Sequence, residues 1–200
     1  MREVLANGAV VVATAASLVL LVPQIVKLIR TRDSSGVSST WPAFGLLSNL
    51  GWVVYLVHGS LWVAVVAPAG ACAGYAVILW ALGRTGRPLG PSLGRGLGFG
   101  VALAASGAVG GWTALGVALG LSFGVMVAPS LWVAYRTADP AGIAPGTWWV
   151  GLAEAALWGF YGWHHADPGI VTYAVVAAAA SAAMLARYAV TRPPVGAAAG

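Results

Sequence analysis

The sequence predicts an all-α membrane protein with seven transmembrane helices, and three observations support this fold class. The chain of 200 residues is 60% hydrophobic and only 8% charged, whereas a soluble domain has about 25% charged residues. The few charges leave long apolar stretches, and a transmembrane helix needs about 20 such residues. One segment of the chain is also repeated, and internal repeats in apolar chains are typical of transporters.

The stretches without formal charge give the number of spans. Residues 34–83 and 96–135 carry no formal charge, and each stretch is too long for a single span. A turn at 58–60 divides the first stretch, and the glycine pair at 110–111 divides the second, because such residues interrupt helices. The predicted helices are 5–29, 41–58, 61–83, 95–110, 112–135, 147–164 and 168–190.

The basic residues assign an orientation to these helices. Nine of the ten Lys and Arg residues fall on one side of the predicted membrane, and only Arg2 falls on the other. Because positive residues stay cytoplasmic, we predict an N-terminus outside and a C-terminus inside. The first apolar run is longer than that of a signal peptide, so we interpret it as a retained helix.

Residues 23–58 recur as residues 129–164. A proline, an Arg-Thr pair, an aspartate, a glycine, a tryptophan, a tyrosine and a histidine return at an offset of 106, as from Pro23 to Pro129. Two three-helix units joined by one helix have the same orientation, so we predict a 3+1+3 arrangement of parallel repeats around a site near mid-membrane. The predicted segments are 5–83 (first unit), 84–111 (linker with helix 4), 112–190 (second unit) and 191–200 (disordered cytoplasmic tail).

The repeated segment resembles a known family. Pro23-Gln24 near the end of the first helix, Asp33 in the following loop, and Trp52 three residues before Tyr55 resemble the PQ-loop repeat. Two three-helix repeats with a linker helix resemble the SWEET sugar transporters. The resemblance implies alternating access through a central pore.

The resemblance also implies a hinge at the proline near the cytoplasmic end of the first helix. The hinge candidates are Pro23, Gln24 and, in the second copy, Pro129, where Ser130 replaces the glutamine. Proline has an independent reason to act there, because it removes a backbone hydrogen bond and clashes with the preceding turn. A static kink that only shapes packing is the alternative.

Five residues of the spans are candidates for contact with a solute. They are Trp52, Trp158, Asn49, Glu154 and Tyr173. The resemblance implies that the tryptophans line the pocket, and a flat ring suits the apolar C–H face of a sugar; helix packing or interfacial anchoring is the alternative. The family also places an asparagine in the third helix of each repeat. Here those positions fall near Ala67 and Tyr173, and this departure leaves another solute open.

Asn49 and Glu154 each lie one turn before a candidate tryptophan. Asn49 precedes Trp52 by three residues and Glu154 precedes Trp158 by four, so each shares a helix face with its tryptophan. Asn49 either reaches the pocket or ties two helices together. A lone carboxyl group in a low-dielectric span favours its neutral form. Glu154 therefore suits proton coupling, a hydrogen bond to a polar substrate, or an interhelical hydrogen bond.

Gate candidates lie at both ends of the predicted pore. Tyr55 and Tyr161 end helices 2 and 6 towards the outside, where an interfacial aromatic belt is the alternative. Asp33, Arg136 and Asp139 are the candidates on the cytoplasmic side. Exposed ion pairs there would contribute only about 0–1 kcal/mol each, and topology signals and loop caps explain the same residues.

Several functional classes lack support in the sequence. It contains no nucleophile elbow, no HExxH and no phosphate-binding loop, so we expect no enzyme and no cofactor. The histidines have no ligand cluster at metal spacing, so we expect no metal. The basic residues are scattered, which argues against nucleic acid as a partner.

The sequence therefore predicts a facilitative uniporter of a small neutral solute, a mono- or disaccharide. The alternatives are a proton-coupled carrier of amino acids or other small solutes and a non-transporting membrane receptor. The expected partners are the solute and the bilayer, and a homo-oligomer stays open. The high alanine, glycine and arginine content is typical of a GC-rich bacterial genome, so we expect a multi-pass protein of the bacterial inner (plasma) membrane.

Overall fold

The computed structural model describes residues 1–32, 34, 37–136 and 144–191, with only the backbone described at Leu20. These residues form helices and no strand, which confirms the all-α class. The helices are α1 (Arg2–Thr31), α2 (Thr40–His58), α3 (Trp62–Arg84), α4 (Gly90–Arg136), α5 (Pro145–His164) and α6 (Pro168–Thr191). Proline stands in the first turn of α5 and α6, where its fixed φ and missing N–H favour a helix start.

α4 consists of two helical arms that meet at a glycine. Gly111 has φ 72° and ψ −169°, a backbone conformation that interrupts the helix and that side-chain-bearing residues rarely adopt. We call residues 90–110 the linker arm and residues 112–136 the second arm. The break falls within the glycine pair that the sequence marked as a turn.

The helices close into a ring. Among the described helices, α1 packs on α3, α3 on α2, α2 on α4, α4 on α6, α6 on α5, and α5 on α1. The linker arm contacts α2 where Gly96 lies against Ala43. The second arm contacts α2 where Gly116 lies against Tyr55. The interior of the ring is thus bounded by six helical walls that come from distant parts of the chain.

The outward-facing surface is apolar. Val109 is 92% exposed, Val101 68% and Trp163 73%, and a helix with many exposed large apolar side chains suits lipid better than water. Five helices (α1, α2, α3, α4 and α6) are long and apolar enough to cross a membrane, judged by length and composition. The described residues therefore fit a membrane protein.

The predicted helices agree with the observed ones within three residues, apart from the linker arm. That arm begins at Gly90 and not at 95, because Pro91 is well placed for a first helical turn and Leu93 N already donates to Leu89 O. The predicted tail falls almost wholly outside the described residues, since α6 continues to Thr191.

Candidate functional site

A cavity of about 380 Å³ lies within the ring of helices. Its walls include residues from all six described helices, so it is shared by every part of the ring. The lining contains all five of the predicted solute-contacting residues, which are Trp52, Trp158, Asn49, Glu154 and Tyr173. The fold thus brings them to one place, while their contact with a solute stays a prediction.

A carboxyl group forms the polar centre of this cavity. Glu154 of α5 is 8% exposed, and its Oε1 accepts a hydrogen bond from Ser17 Oγ of α1. Trp158 Nε1 donates to the same oxygen at 3.3 Å, and Tyr173 OH of α6 donates to it at 3.3 Å. Neutral polar groups from three helices therefore meet at one carboxyl oxygen, and the hydroxyl of Ser17 also lies 3.0 Å from Ala13 O as a second acceptor.

The ring of Tyr173 connects the two predicted tryptophans. Its centroid lies 6.2 Å from that of Trp52 and 6.4 Å from that of Trp158, with the planes nearly perpendicular in both pairs. Phe123 of the second arm lies 5.4 Å from the same ring. These edge-to-face pairs are favourable aromatic geometries. They hold the wall of the cavity around Glu154 in a defined arrangement.

A second polar pair lies on the opposite seam of the ring. Ser48 Oγ of α2 and Ser122 Oγ of the second arm are 2.8 Å apart and buried. Ser48 and Glu154 are related by the offset of 106 that relates the two repeats. At these equivalent positions, the side-chain hydrogen bond between the halves is thus a neutral serine pair at Ser48 and involves a carboxyl group at Glu154.

Asn49 and Ala67 define what the first half offers to a solute. Asn49 lines the cavity, but its Nδ2 donates to Gly45 O of its own helix at 2.8 Å. Ala67 also lines the cavity and brings no polar side-chain atom. Asn49 therefore retains its Oδ1 and one N–H for another partner, whereas Ala67 offers none.

A tyrosine and an aspartate are hydrogen-bonded at the end of the ring that is predicted to face outside. Tyr55 OH donates to Asp167, with both carboxylate oxygens at 3.0 Å. Asp167 Oδ1 also accepts from Ile170 N at 2.8 Å, so it caps the start of α6. Tyr161, the other predicted gate residue, is buried and packs edge-on against Trp158. Sequence reasoning missed the role of Asp167, although an aspartate directly before Pro168 is a helix-start signal.

The other end of the cavity continues into a second one of about 440 Å³. The two cavities share Trp41, Met126 and Ser130. Gln24 and Pro129, two of the predicted hinge residues, line the second cavity. The second cavity thus lies at the end of the ring that is predicted to be cytoplasmic.

The remaining hinge and gate predictions have different outcomes. Pro23 lies inside α1, as expected. The guanidinium of Arg136 lies 4.3 Å from the ring of Trp132, one turn earlier on the same helix. Asp33 and Asp139 lie outside the described residues, so the predicted cytoplasmic ion pairs stay predictions.

Three potential metal ligands meet where α1 begins and α5 ends. The ligand atoms of Glu3, His164 and His165 lie within 4.8 Å of one another. His164 Nε2 and Glu3 Oε2 are 3.2 Å apart, and the Glu3 side chain is 64% exposed. The expectation of no metal stays a prediction. Sequence spacing could not show this group, because Glu3 is far from the histidines along the chain.

The first helices of the chain match a protein-family model. Residues 5–65 match the PQ loop repeat, and this segment contains most of α1, all of α2 and the beginning of α3. No curated protein matches the chain. The PQ-loop repeat family includes membrane transporters and receptors. The apolar helices and this match together indicate a multi-pass membrane protein whose first part is similar to a PQ loop repeat.

Proposed function

We propose that the protein is a membrane transporter that moves a small solute through its central cavity by alternating access. The observation that carries this proposal is the cavity lined by all six described helices. A receptor or an assembly factor does not require a cavity at the centre of a closed ring, whereas a carrier does.

The two ends of the cavity support a carrier closed on one side. At one end, the Tyr55–Asp167 hydrogen bonds join α2 to the start of α6. At the other end, the second cavity adjoins the first and contains Pro129. In this proposal Tyr55 and Asp167 separate when the outer end opens, and Pro23 and Pro129 act as hinges.

The parallel-repeat architecture is part of the same proposal. Three features favour it: the helix break at Gly111, the distribution of basic residues, and the packing order around the ring. α1, α3 and α2 follow one another in the first half, and the second arm, α6 and α5 follow one another in the second half. We therefore place three helices, a linker helix and three helices in a bacterial inner membrane, with the N-terminus outside.

Two kinds of solute are candidates. Facilitative uniport of a mono- or disaccharide, as in the SWEET transporters, is supported by Trp52 and Trp158 at equivalent positions on the cavity wall. Proton-coupled carriage is favoured by Glu154, because an ionisable residue inside a membrane span is costly and is usually retained for a function.

Counterflow in proteoliposomes tests the transport proposal. Vesicles with purified protein are preloaded with glucose, sucrose or choline, and uptake of the same labelled solute is measured. Trp158→Ala, in the cavity, should lower the uptake at least tenfold. Trp163→Ala is the matched control on the same helix, because this side chain is 73% exposed. If none of the three solutes is transported, or if the two variants take up solute at equal rates, the proposal is contradicted.

A further inference from the structure

Among the described residues that line the central cavity, one carries a carboxyl group. Of the lining residues in the described part of the chain, Glu154 is the only Asp, Glu, Lys or Arg. The other titratable groups that line it are the phenols of Tyr75 on α3 and Tyr173 on α6; the lining residues of α1, α2 and α4 include none. Phenols ionise only near pH 10. The charge of the cavity near neutral pH is therefore set by Glu154.

The partners of Glu154 leave its charge uncompensated. Ser17, Trp158 and Tyr173 donate hydrogen bonds but carry no positive charge. The described lining of the adjoining cavity contains no charged residue either. A carboxylate in such surroundings requires a positive charge or becomes protonated. The two available neutralising species are a proton and a cation that enters the cavity.

The walls of the cavity suit an organic cation. Aromatic rings attract ammonium groups through the negative potential of their faces, and quaternary ammonium ligands are recognised by aromatic cages. Of the lining residues that the structure describes, six are aromatic: Trp41, Trp52, Tyr75, Phe123, Trp158 and Tyr173. An inorganic ion would gain little from so many rings and would lose its water. A cation with an apolar body gains from both the rings and the carboxylate.

Two other solute classes fit less well. A zwitterionic amino acid would bring a carboxylate into a cavity whose described lining has no Lys or Arg to receive it. A neutral sugar would leave Glu154 protonated and would gain nothing from its carboxylate form, and Ala67 offers the sugar no hydrogen bond. The charge of the cavity therefore favours a cation over a zwitterionic amino acid and over a neutral sugar.

We propose that the cavity binds a small monovalent organic cation, a primary amine or a quaternary ammonium compound, in exchange for one proton at Glu154. This inference rests on the proposed transport function and commits it to the proton-coupled candidate. Binding converts the neutral Glu154 carboxylic acid into a carboxylate paired with the cation, and the O–H proton passes to water in the cavity. One proton leaves for each cation that enters, so the cavity stays neutral.

A matched pair of probes tests this exchange. Choline and 3,3-dimethyl-1-butanol have similar shapes but differ by the positive charge. Isothermal titration calorimetry of the purified full chain, between pH 5 and pH 8, should show choline binding at least tenfold more tightly than the alcohol at pH 8. At acidic pH its affinity should weaken by up to about tenfold per pH unit, because one proton competes. The titration is repeated in buffers of different ionisation enthalpy. At the acidic end of the range, the dependence of the binding enthalpy on the buffer should show that about one proton is released per choline bound.

Substitutions connect the competition to Glu154. Glu154→Gln should lower choline affinity at least tenfold and remove its pH dependence, without changing the affinity for the alcohol. Glu154→Asp retains the charge and should retain the pH dependence, which keeps the test valid if the Gln variant folds poorly. Glu3→Gln is the control, because this carboxyl group lies outside the cavity and is exposed.

The outcomes separate this inference from the transport proposal. Equal binding of choline and the alcohol, an unchanged pH dependence in Glu154→Gln, or no choline binding at all would overturn the cation site. Counterflow of glucose or sucrose would then still support a carrier, one for neutral solutes. Choline binding with the expected pH dependence, but without counterflow of any solute, would retain the cation site and refute the carrier.

Discussion

The two halves of the ring differ in the side chains that they place at the cavity. On the seam between α2 and the second arm, Ser48 and Ser122 form a neutral pair. On the seam between α1 and α5, Glu154 takes the place equivalent to Ser48 and accepts from Ser17. Equivalent positions of the repeated sequence thus place different groups at the cavity, a hydroxyl group at Ser48 and a carboxyl group at Glu154.

The halves also differ in how closely their helices pack. Gly116 of the second arm and Gly169 of α6 are in backbone contact, because a Cβ on Gly169 would lie 2.7 Å from the Cα of Gly116. The equivalent positions in the first half are Val10 and Val63, which belong to the apolar core. Small residues allow membrane helices to approach closely. The second half therefore uses glycine where the first half uses valine.

The largest loss of stability should come from a substitution that blocks the contact between Gly116 and Gly169. Gly169→Ala would place a methyl group within 2.7–2.9 Å of the backbone of Gly116, which cannot rotate away as a side chain could. We expect the free energy of unfolding to fall by about 3 kcal/mol, the upper end for an overpacked core. Thermal and denaturant unfolding in detergent would measure the change.

A matched glycine provides the control for this prediction. A Cβ on Gly98 of the linker arm would meet no atom within 4 Å. Gly98→Ala should leave stability equal or raise it by up to about 1 kcal/mol through helix propensity. Similar losses in both variants would show that the close packing of the second half is not what stabilises it.

The sequence predicted much of the fold and the location of the site, but not the contacts within it. Charge-free stretches and the glycine pair were enough for the helix positions, because span length is fixed by the bilayer. The resemblance to the PQ-loop repeat implied that Trp52 and Trp158 line a pocket, and both lie in the cavity wall. Ser17 was missed, because a serine in an apolar helix has no distinguishing pattern and its partner Glu154 is 137 residues away. The contact between Asp167 and Tyr55 was missed because the two residues are 112 positions apart in the sequence and meet only when the ring of helices forms.

Removing the tyrosine hydroxyl from α2 or from α5 should have effects on local opening that differ by an intermediate amount between the two halves. Tyr55 donates to Asp167, whereas its equivalent Tyr161 would find Leu61 at the position equivalent to Asp167. A hydrogen bond to a charged group contributes about 1.5–3 kcal/mol, so Tyr55→Phe should raise local opening near the start of α6. Hydrogen exchange of residues 161–170 should be at least fivefold faster, while Tyr161→Phe should change it little. Equal exchange in both variants would mean that the Tyr55–Asp167 contact does not hold this end closed.

The smallest expected difference distinguishes the two polar seams. Ser17→Ala removes one of three donors to Glu154, and its cost should be about 1.5 kcal/mol while Glu154 is ionised. Ser122→Ala removes a neutral serine pair, and the average side-chain hydrogen bond in a membrane protein contributes only about 0.6 kcal/mol.

The sign of the pH effect follows from the donor role of Ser17: the stabilisation belongs to the carboxylate form and is lost as falling pH protonates Glu154. In detergent unfolding, the cost of Ser17→Ala should therefore fall towards that of Ser122→Ala as the pH is lowered. If the two costs are equal at every pH, the carboxyl seam is no stronger than the serine seam, and Glu154 is neutral over the whole range.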